Sequence, residues 1–437
     1  MLHTHVVGRE NLTMAPFDIV KKALDVVYDS EDRFYTSKWN LREEVKGELT
    51  LPDRISFVDT TLREGEETPW VVYTVENKVR VARALEGVGI GEIDCGFPSL
   101  SREHFETVRA IKDAGIHIKT MGITRVDVGN PEAAIDTGID SGADVIQLAI
   151  YGISIPGFNS EDNYLDLIEN SARYTKKQGA YCAFWIPGSR WNPEFALRLY
   201  AAAIKGGADR VDLAGTGCIS PTAFKLMTKK LKEIAGDKAV GLHCHNHYGV
   251  GTACALAGIE AGAEIVHTSI NGMSDGGGMA AYEEVVMCLY SFYGFDLGIN
   301  LNKLTELSRM VEEISRHRVQ GWKPVVGHTV FGETSDTHLE RILLGRNCEE
   351  GTLEGERSGW SALGMNPSAI GQEIELVFGP QALIGRGIRA KARLMGSELS
   401  DAGIEVVKRR LKEAVTTTGG LSEQEMEKLI NEAAEKH

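Results

Sequence analysis

The chain has 437 residues, 43% hydrophobic and 25% charged, globular proportions that exclude a disordered, collagenous or coiled-coil protein. Lys and Arg number 47 against 62 Asp and Glu, a formal net charge of −15, so no global field draws the protein to nucleic acid or to an anionic membrane. No apolar run approaches the roughly 18 residues of a membrane span, and the seven cysteines, scattered with no CxxC pair, read as reduced thiols of a cytoplasmic protein.

Residues 1–50 read as an N-terminal extension, with a helix predicted over PFDIVKKALDVVYDS and then the aromatic segment RFYTSKWN. From residue 55 a pattern repeats: a short apolar run, a loop, then an amphipathic helical stretch. The runs are ISFVD (55–59), GEIDCGF (91–97), IHIKTMG (116–122), DVIQLAI (144–150), AYCAFWI (180–186), DRVDLAG (209–215), AVGLHCH (239–245) and EIVHTSI (264–270). Near-continuous apolar strands alternating with helices imply a parallel sheet covered by helices. Eight such units in about 240 residues fit a closed (β/α)8 barrel over 51–325. An open doubly wound sheet is the structural rival, but no GxGxxG follows the first run, which argues against a dinucleotide-binding sheet. Residues 326–437 read as a linker and a mainly helical small subdomain, ending in LSEQEMEKLINEAAEK with Ser422 as its cap.

On such barrels the chemistry sits at the C-terminal ends of the strands. The first run continues into DTTLREGEE, which follows one strand with Asp59, Arg63, Glu64, Glu66 and Glu67. The seventh ends in HCHNH, placing His243 and His245 two residues apart and so on one face of a strand. Two imidazoles on one face plus a carboxylate from another strand suit a divalent metal with positions left open for substrate. A pair of satisfied core histidines is the alternative. Asp59 reads as an anchor for its loop, and His247 as a loop residue.

DTTLREGEETP resembles the signature of the metal-dependent barrel family of isopropylmalate synthase, homocitrate synthase, Re-face citrate synthase and HMG-CoA lyase. The resemblance continues through GEIDCGFP, Arg125, LAGTG, HCHNHYG and INGMSDGGGMAAYEE. It implies Glu64, His243 and His245 as metal ligands, with Asn271 as a further one. Arg63 matches the arginine that polarises the keto oxygen of a substrate, and Thr216 and Arg125 match positions that hold the carboxylates of a 2-oxo acid. The sequence departs from the pattern around the pocket: DGGGM replaces the usual ending of the last loop, IPGSR keeps only Ser189 and Arg190, and Gly215 and His247 stand where acids are usual.

The tail, GHTVFGETSDTHLERILLG followed by NPSAIG and ALIGRGIRAKARLMGSELSD, resembles that of the condensing branch rather than a lyase. In that branch a tail histidine from a neighbouring subunit helps remove the acyl α-proton, and His338 stands at that position; the assisting tyrosine is replaced near Ala362. The resemblance therefore implies a homodimer with composite sites that joins acetyl-CoA to a 2-oxo acid, using a divalent cation (Mn²⁺ or Mg²⁺ favoured, Zn²⁺ admissible). Glu at position 64 resembles the homocitrate-forming members, and Arg125 and Arg190 are cations for a second carboxylate. The favoured acceptor is then a dicarboxylic oxo acid, oxaloacetate ahead of 2-oxoglutarate. Isopropylmalate or citramalate synthase, or an HMG-CoA lyase-like activity, is the alternative, and a non-catalytic binding barrel the rival of a different class.

Overall fold

The computed structural model describes Phe34 and residues 37–152, 160–345 and 364–434. The helix expected over 16–30 and the position of Ala362 lie outside the described residues. Eight parallel strands close into a barrel in chain order: β1 (Ser56–Asp59), β2 (Glu92–Asp94), β3 (Lys119–Arg125), β4 (Val145–Ala149), β5 (Tyr181–Ile186), β6 (Arg210–Gly215), β7 (Ala239–Cys244) and β8 (Ile265–Thr268). β1 pairs with both β2 and β8, which leaves no edge.

Local chemistry sets the helix starts. Asn130, Asn192 and Ser220 accept the backbone N–H three residues on, each with proline at the first helical position, where a missing N–H costs nothing. β3 begins three residues beyond the start of its apolar run. Ile116 and Ile118 are buried under the approach to the strand instead, and Arg125 is the last residue of β3.

The barrel interior has two zones. Val58, Met121, Ile123, Ala149, Ala183 and Trp185 form an apolar one. The other is a buried ionic layer. Arg210 donates to Glu92 at 2.9 and 3.1 Å and to Asp212 at 3.0 Å, and Gln147 donates to Asp212 at 2.7 Å. Burial pushes the Asp212 carboxyl up, but Arg210 and His267 outweigh it and hold it at about 2. A buried charge persists only when its partners are supplied in this way. Room for the layer comes from Gly241, where a Cβ would stand 1.9 Å from Asp212 Oδ1.

Val325, Val326 and Phe331 still pack with the barrel. A separate core then gathers Leu339, Ile342, Phe378, Ile388, Val407 and Met426. It includes a sheet of β9 (Gly332–Glu333), β10 (Glu375–Phe378) and β11 (Leu421–Ser422), in the order β11-β10-β9. Strands of two to four residues leave no alternation to read, so the sequence shows a mainly helical tail without marking this sheet. Among the described residues, no helix is long and apolar enough to cross a membrane.

Candidate active site

The site lies at the C-terminal ends of β1, β2 and β7, roofed by the loop after β8. Asp59 closes β1 by accepting the Thr61 N–H at 2.9 Å and the Thr61 hydroxyl at 3.0 Å. That hydroxyl accepts the Ile270 N–H at 2.9 Å and so ties the first loop to the last. Burial raises the Asp59 carboxyl to about 7, against the Thr61 hydrogen bonds, as suits an anchor.

The single helical turn Thr61–Glu64 that follows turns Arg63 and Glu64 inward, 7% and 1% exposed. Glu64 Oε1 stands 3.1 Å from His243 Nε2, and Oε2 accepts from the Ser274 hydroxyl. His243 and His245, on one face of β7 and its extension, bring their Nε2 atoms within 3.3 Å. His245 Nδ1 lies 3.1 Å from Asp275, near the carboxylate but without a hydrogen bond to it. Burial lowers the His243 imidazole to about 4 despite the neighbouring Glu64, which keeps the ring neutral with its lone pair available. Burial pushes the Glu64 carboxyl up, but Arg63 and His243 hold it well below the usual range.

Three lone-pair donors thus face one another with ligand atoms mutually within 4.8 Å. Two ligands at right angles, each about 2.1 Å from one cation, stand about 3 Å apart. The edges of 3.1 and 3.3 Å match that spacing. The residues fit a divalent cation.

Arg63 is fixed by a residue that the sequence did not single out. Its Nε donates to Asp94 at 2.9 Å, while Asp94 accepts the Gly96 N–H at 2.8 Å. Its Nη1 reaches Glu64, and Glu67 at 3.2 Å. Glu66 instead pairs with Lys78 at 2.7 Å. In the sequence Asp94 is marked only as an acid at the end of a buried apolar run. Ser274 was equally hidden, because only the fold brings its loop over Glu64.

Other expected residues are placed differently. Asn271 does not join the triad: its amide donates to the Ser308 carbonyl at 3.1 Å and accepts the Ser308 hydroxyl at 2.6 Å, so its side chain is spent on the helix Leu304–Ser315. Arg125 closes both arms on Asp127, at 2.9 and 2.7 Å, which takes the fork expected to meet a substrate carboxylate. Arg190 is exposed on a short turn after β5. The Thr216 hydroxyl stands 2.8 Å from that of Ser189, whose oxygen also accepts the Thr216 N–H at 2.9 Å. His338 lies on the helix Asp336–Gly345 with Nδ1 3.0 Å from Glu333. Among the described residues, no hydrogen bond or ion pair links His338 to the triad within the chain. A cavity of about 440 Å³ opens beside Ser274, lined by Thr68, Asn246, Met279, Arg318 and Lys323.

The HMGL-like family model matches residues 54–311. The chain is 33% identical to "Homocitrate synthase AksA" of Methanopyrus kandleri over 398 residues, 90% of this chain and 96% of that protein. It is 31% identical to "Putative (R)-citramalate synthase CimA" of the same organism, over 84% of this chain and 70% of that one. Among solved structures, an HMG-CoA lyase of Bacillus subtilis superposes with a TM-score of 0.52 at 16% identity, over 61% of this chain and 95% of that one. That likeness is one of fold. With the metal-ligand geometry, the family match and the end-to-end relatives together, the chain belongs to the HMGL-like family, on the branch of the Claisen-condensing synthases.

Proposed function

We propose that the protein condenses acetyl-CoA with a 2-oxo acid, forming a carbon–carbon bond and releasing CoA. The observation that carries this reading is the convergence of Glu64, His243 and His245 beside the buried Arg63. When bound, a divalent ion supplies a Lewis acid and a template for the carboxylate and keto oxygens of the acid. Mn²⁺ or Mg²⁺ suits the carboxylate ligand and the oxygen-rich substrate, and Zn²⁺ is an admissible third.

The chain's own residues do the rest. Arg63, held in place by Asp94, faces the charge that grows on the keto oxygen, and a preoriented cation acts there without reorganisation. Thr216 is assigned to the substrate carboxylate. His338 is assigned as the base. With Nδ1 committed to Glu333, Nε2 keeps the lone pair that takes the proton from the acyl methyl group. The carbon so exposed bonds to the keto carbon, and the keto oxygen becomes the hydroxyl. Water then cleaves the thioester, and the sulfur leaves as the CoA thiol. The helix that carries His338 packs through Leu339 and Ile342 into the tail core rather than at the barrel mouth, so we assign His338 to the site of a partner subunit in a homodimer. The thioester arm is assigned to the cavity beside Ser274, whose lining includes Met273, Met279, Lys323 and Arg318.

A dicarboxylic acceptor is the second reading, supported by the near full-length match to homocitrate synthases. A thiol-release assay tests the condensation itself. CoA is expected only when acetyl-CoA and a 2-oxo acid are both present, and a chelator is expected to stop it. Release from acetyl-CoA alone, unaffected by chelation, would overturn the proposal.

A further inference from the structure

Backbone strain in this chain gathers around one cavity. Among the described residues, four that are not glycine hold a positive φ: Trp70 (73°), Asn271 (63°), Arg316 (59°) and Val325 (69°). Asn271 lines the cavity beside Ser274, and Thr68, His317 and Pro324, which line it too, lie within two residues of the other three. Such conformations persist only where surrounding contacts hold them, and they cluster at ligand clamps and switches. The segment 316–325 gives the cavity a basic wall of His317, Arg318 and Lys323. Lys323 is matched by Glu283 at 3.3 Å and Glu284 at 2.7 Å. Among the described residues no carboxylate pairs with Arg318, whose Nε instead stands 3.3 Å from His328 Nε2.

The chain folds back here, and His328 comes to face a donor and an acceptor with one nitrogen. Arg316 ends the helix Leu304–Ser315 in the left-handed region, and the Val319 N–H returns to Glu312 at 2.7 Å. His328 Nε2 stands 3.1 Å from each Glu312 oxygen, and Arg309 donates to the same carboxylate at 3.1 Å. Burial would raise the Glu312 carboxyl, but the Val319 N–H, His328 and Arg309 hold it below its usual range, so it stays an acceptor. Glu312 and Arg309 on the helix and Arg318 on the returning segment are the charged groups that the described residues place at this junction. A neutral imidazole carries a proton on one nitrogen and a lone pair on the other. Its Nε2 therefore serves Arg318 only with the lone pair, and Glu312 only with a proton. The protonated ring has a hydrogen on both nitrogens. Its Nε2–H goes to Glu312 as a charge-assisted bond, and Arg318 meets a like charge in place of an acceptor.

We propose that Arg318 binds the diphosphate of the acyl-CoA at this cavity, and that His328 gates it by releasing Arg318 to the ligand when the ring takes a proton. The inference rests on the condensation reading, which seats the thioester arm in the same cavity, and it adds the group that holds the far end of that arm. Affinity for the diphosphate then rises as pH falls through the range in which histidine changes charge, about pH 8 to 5. Neither residue is asked to take part in the bond-making steps.

The test is calorimetry on the metal-loaded full-length protein with dephospho-CoA, whose diphosphate keeps its charge where a phosphate monoester would titrate, near pH 6. From about pH 8 to about pH 6 the affinity is expected to rise about tenfold, the size of one charge-assisted contact. Because the coupling is reciprocal, binding is expected to take up a proton from the buffer. Pantetheine, which has no phosphate, is expected to bind without the rise. His328→Gln is expected to flatten it, and Arg318→Ala to flatten it and leave affinity no higher than the wild-type value at the alkaline end. A rise that persists in His328→Gln belongs to another group, His317 included, and overturns the gate. Failure of dephospho-CoA to bind, an equal rise for pantetheine, or affinity that Arg318→Ala leaves in place overturns the diphosphate contact. The expected binding pattern with no CoA released from acetyl-CoA and any 2-oxo acid overturns the condensation and leaves the gate standing.

Discussion

Arg63 donates through Nε to Asp94 at 2.9 Å, so a strand-end carboxylate on β2 fixes the guanidinium that the turn after β1 carries beside Glu64. The same guanidinium touches Glu64, a member of the triad. On the proposed reading charge stabilisation and metal binding share one corner of the barrel, and substitutions there separate them.

Replacing His243 or His245 by alanine leaves two protein ligands for the cation. Bound divalent metal is expected to fall by about a hundredfold in affinity or more, with Ser274→Ala costing about tenfold through Glu64. Metal analysis of the purified variants reads both. Either histidine variant with full metal content would break the assignment of β7.

Arg63→Ala is expected to lower kcat by about 10²- to 10³-fold while metal content holds, the usual size of a lost charge-stabilising donor. Asp94→Asn keeps the guanidinium but loosens it, so a smaller loss in kcat is expected. Equal metal loss in both variants would mean that Arg63 serves the ligands rather than the substrate.

Burial, with Glu64 opposing it, lowers His243 from 6.5 to about 4. A group whose folded pKa is depressed gives its unfolded chain the proton first. Its contribution is thus full above pH 6.5 and is lost as pH falls toward 4. For the metal-free protein this amounts to about 3 kcal/mol across that window. Urea midpoints of wild type and His243→Gln, measured from pH 7 to pH 4, give the comparison. The variant is expected to lack this part of the acid loss, and parallel curves would contradict it.

Gly241→Ala drives a methyl group to within 1.9 Å of Asp212 in the ionic layer beneath His243. Loss of more than about 4 kcal/mol is expected, the range of a buried charge network broken from within. Thermal unfolding checks it, and a near-neutral effect would show that the layer shifts freely.

If His338 acts in a partner's barrel, mixing His338→Ala with His243→Ala under subunit exchange is expected to restore up to about a quarter of the sites' activity, because one site in each mixed dimer keeps both groups. No recovery after proven exchange would place His338 in its own chain or outside the reaction.

Much of this was legible in the residues. All eight barrel runs appear as strands, because buried parallel strands are marked by unbroken apolar stretches. HxH at the end of a run and an acidic loop at the end of another are local patterns, so the triad's members stand out one by one. What stayed hidden depends on contacts between distant segments. Asp94 and Ser274 are ordinary polar residues until the barrel closes. Asn271 and Arg125 matched a family pattern, yet Ser308 and Asp127 take their polar atoms. Ile116 and Ile118 extended the third run falsely, since apolar residues also pack beneath loops.

The central claim is that this barrel makes a carbon–carbon bond at Glu64, His243 and His245. Acetyl-CoA labelled with ¹³C in its methyl group, incubated with metal-loaded protein and a 2-oxo acid, tests it most directly. The account expects the label in the methylene beside a new tertiary alcohol carbon, one product formed per CoA released, and none after chelation. Label recovered only as free acetate, with CoA released and the oxo acid unchanged, would contradict it.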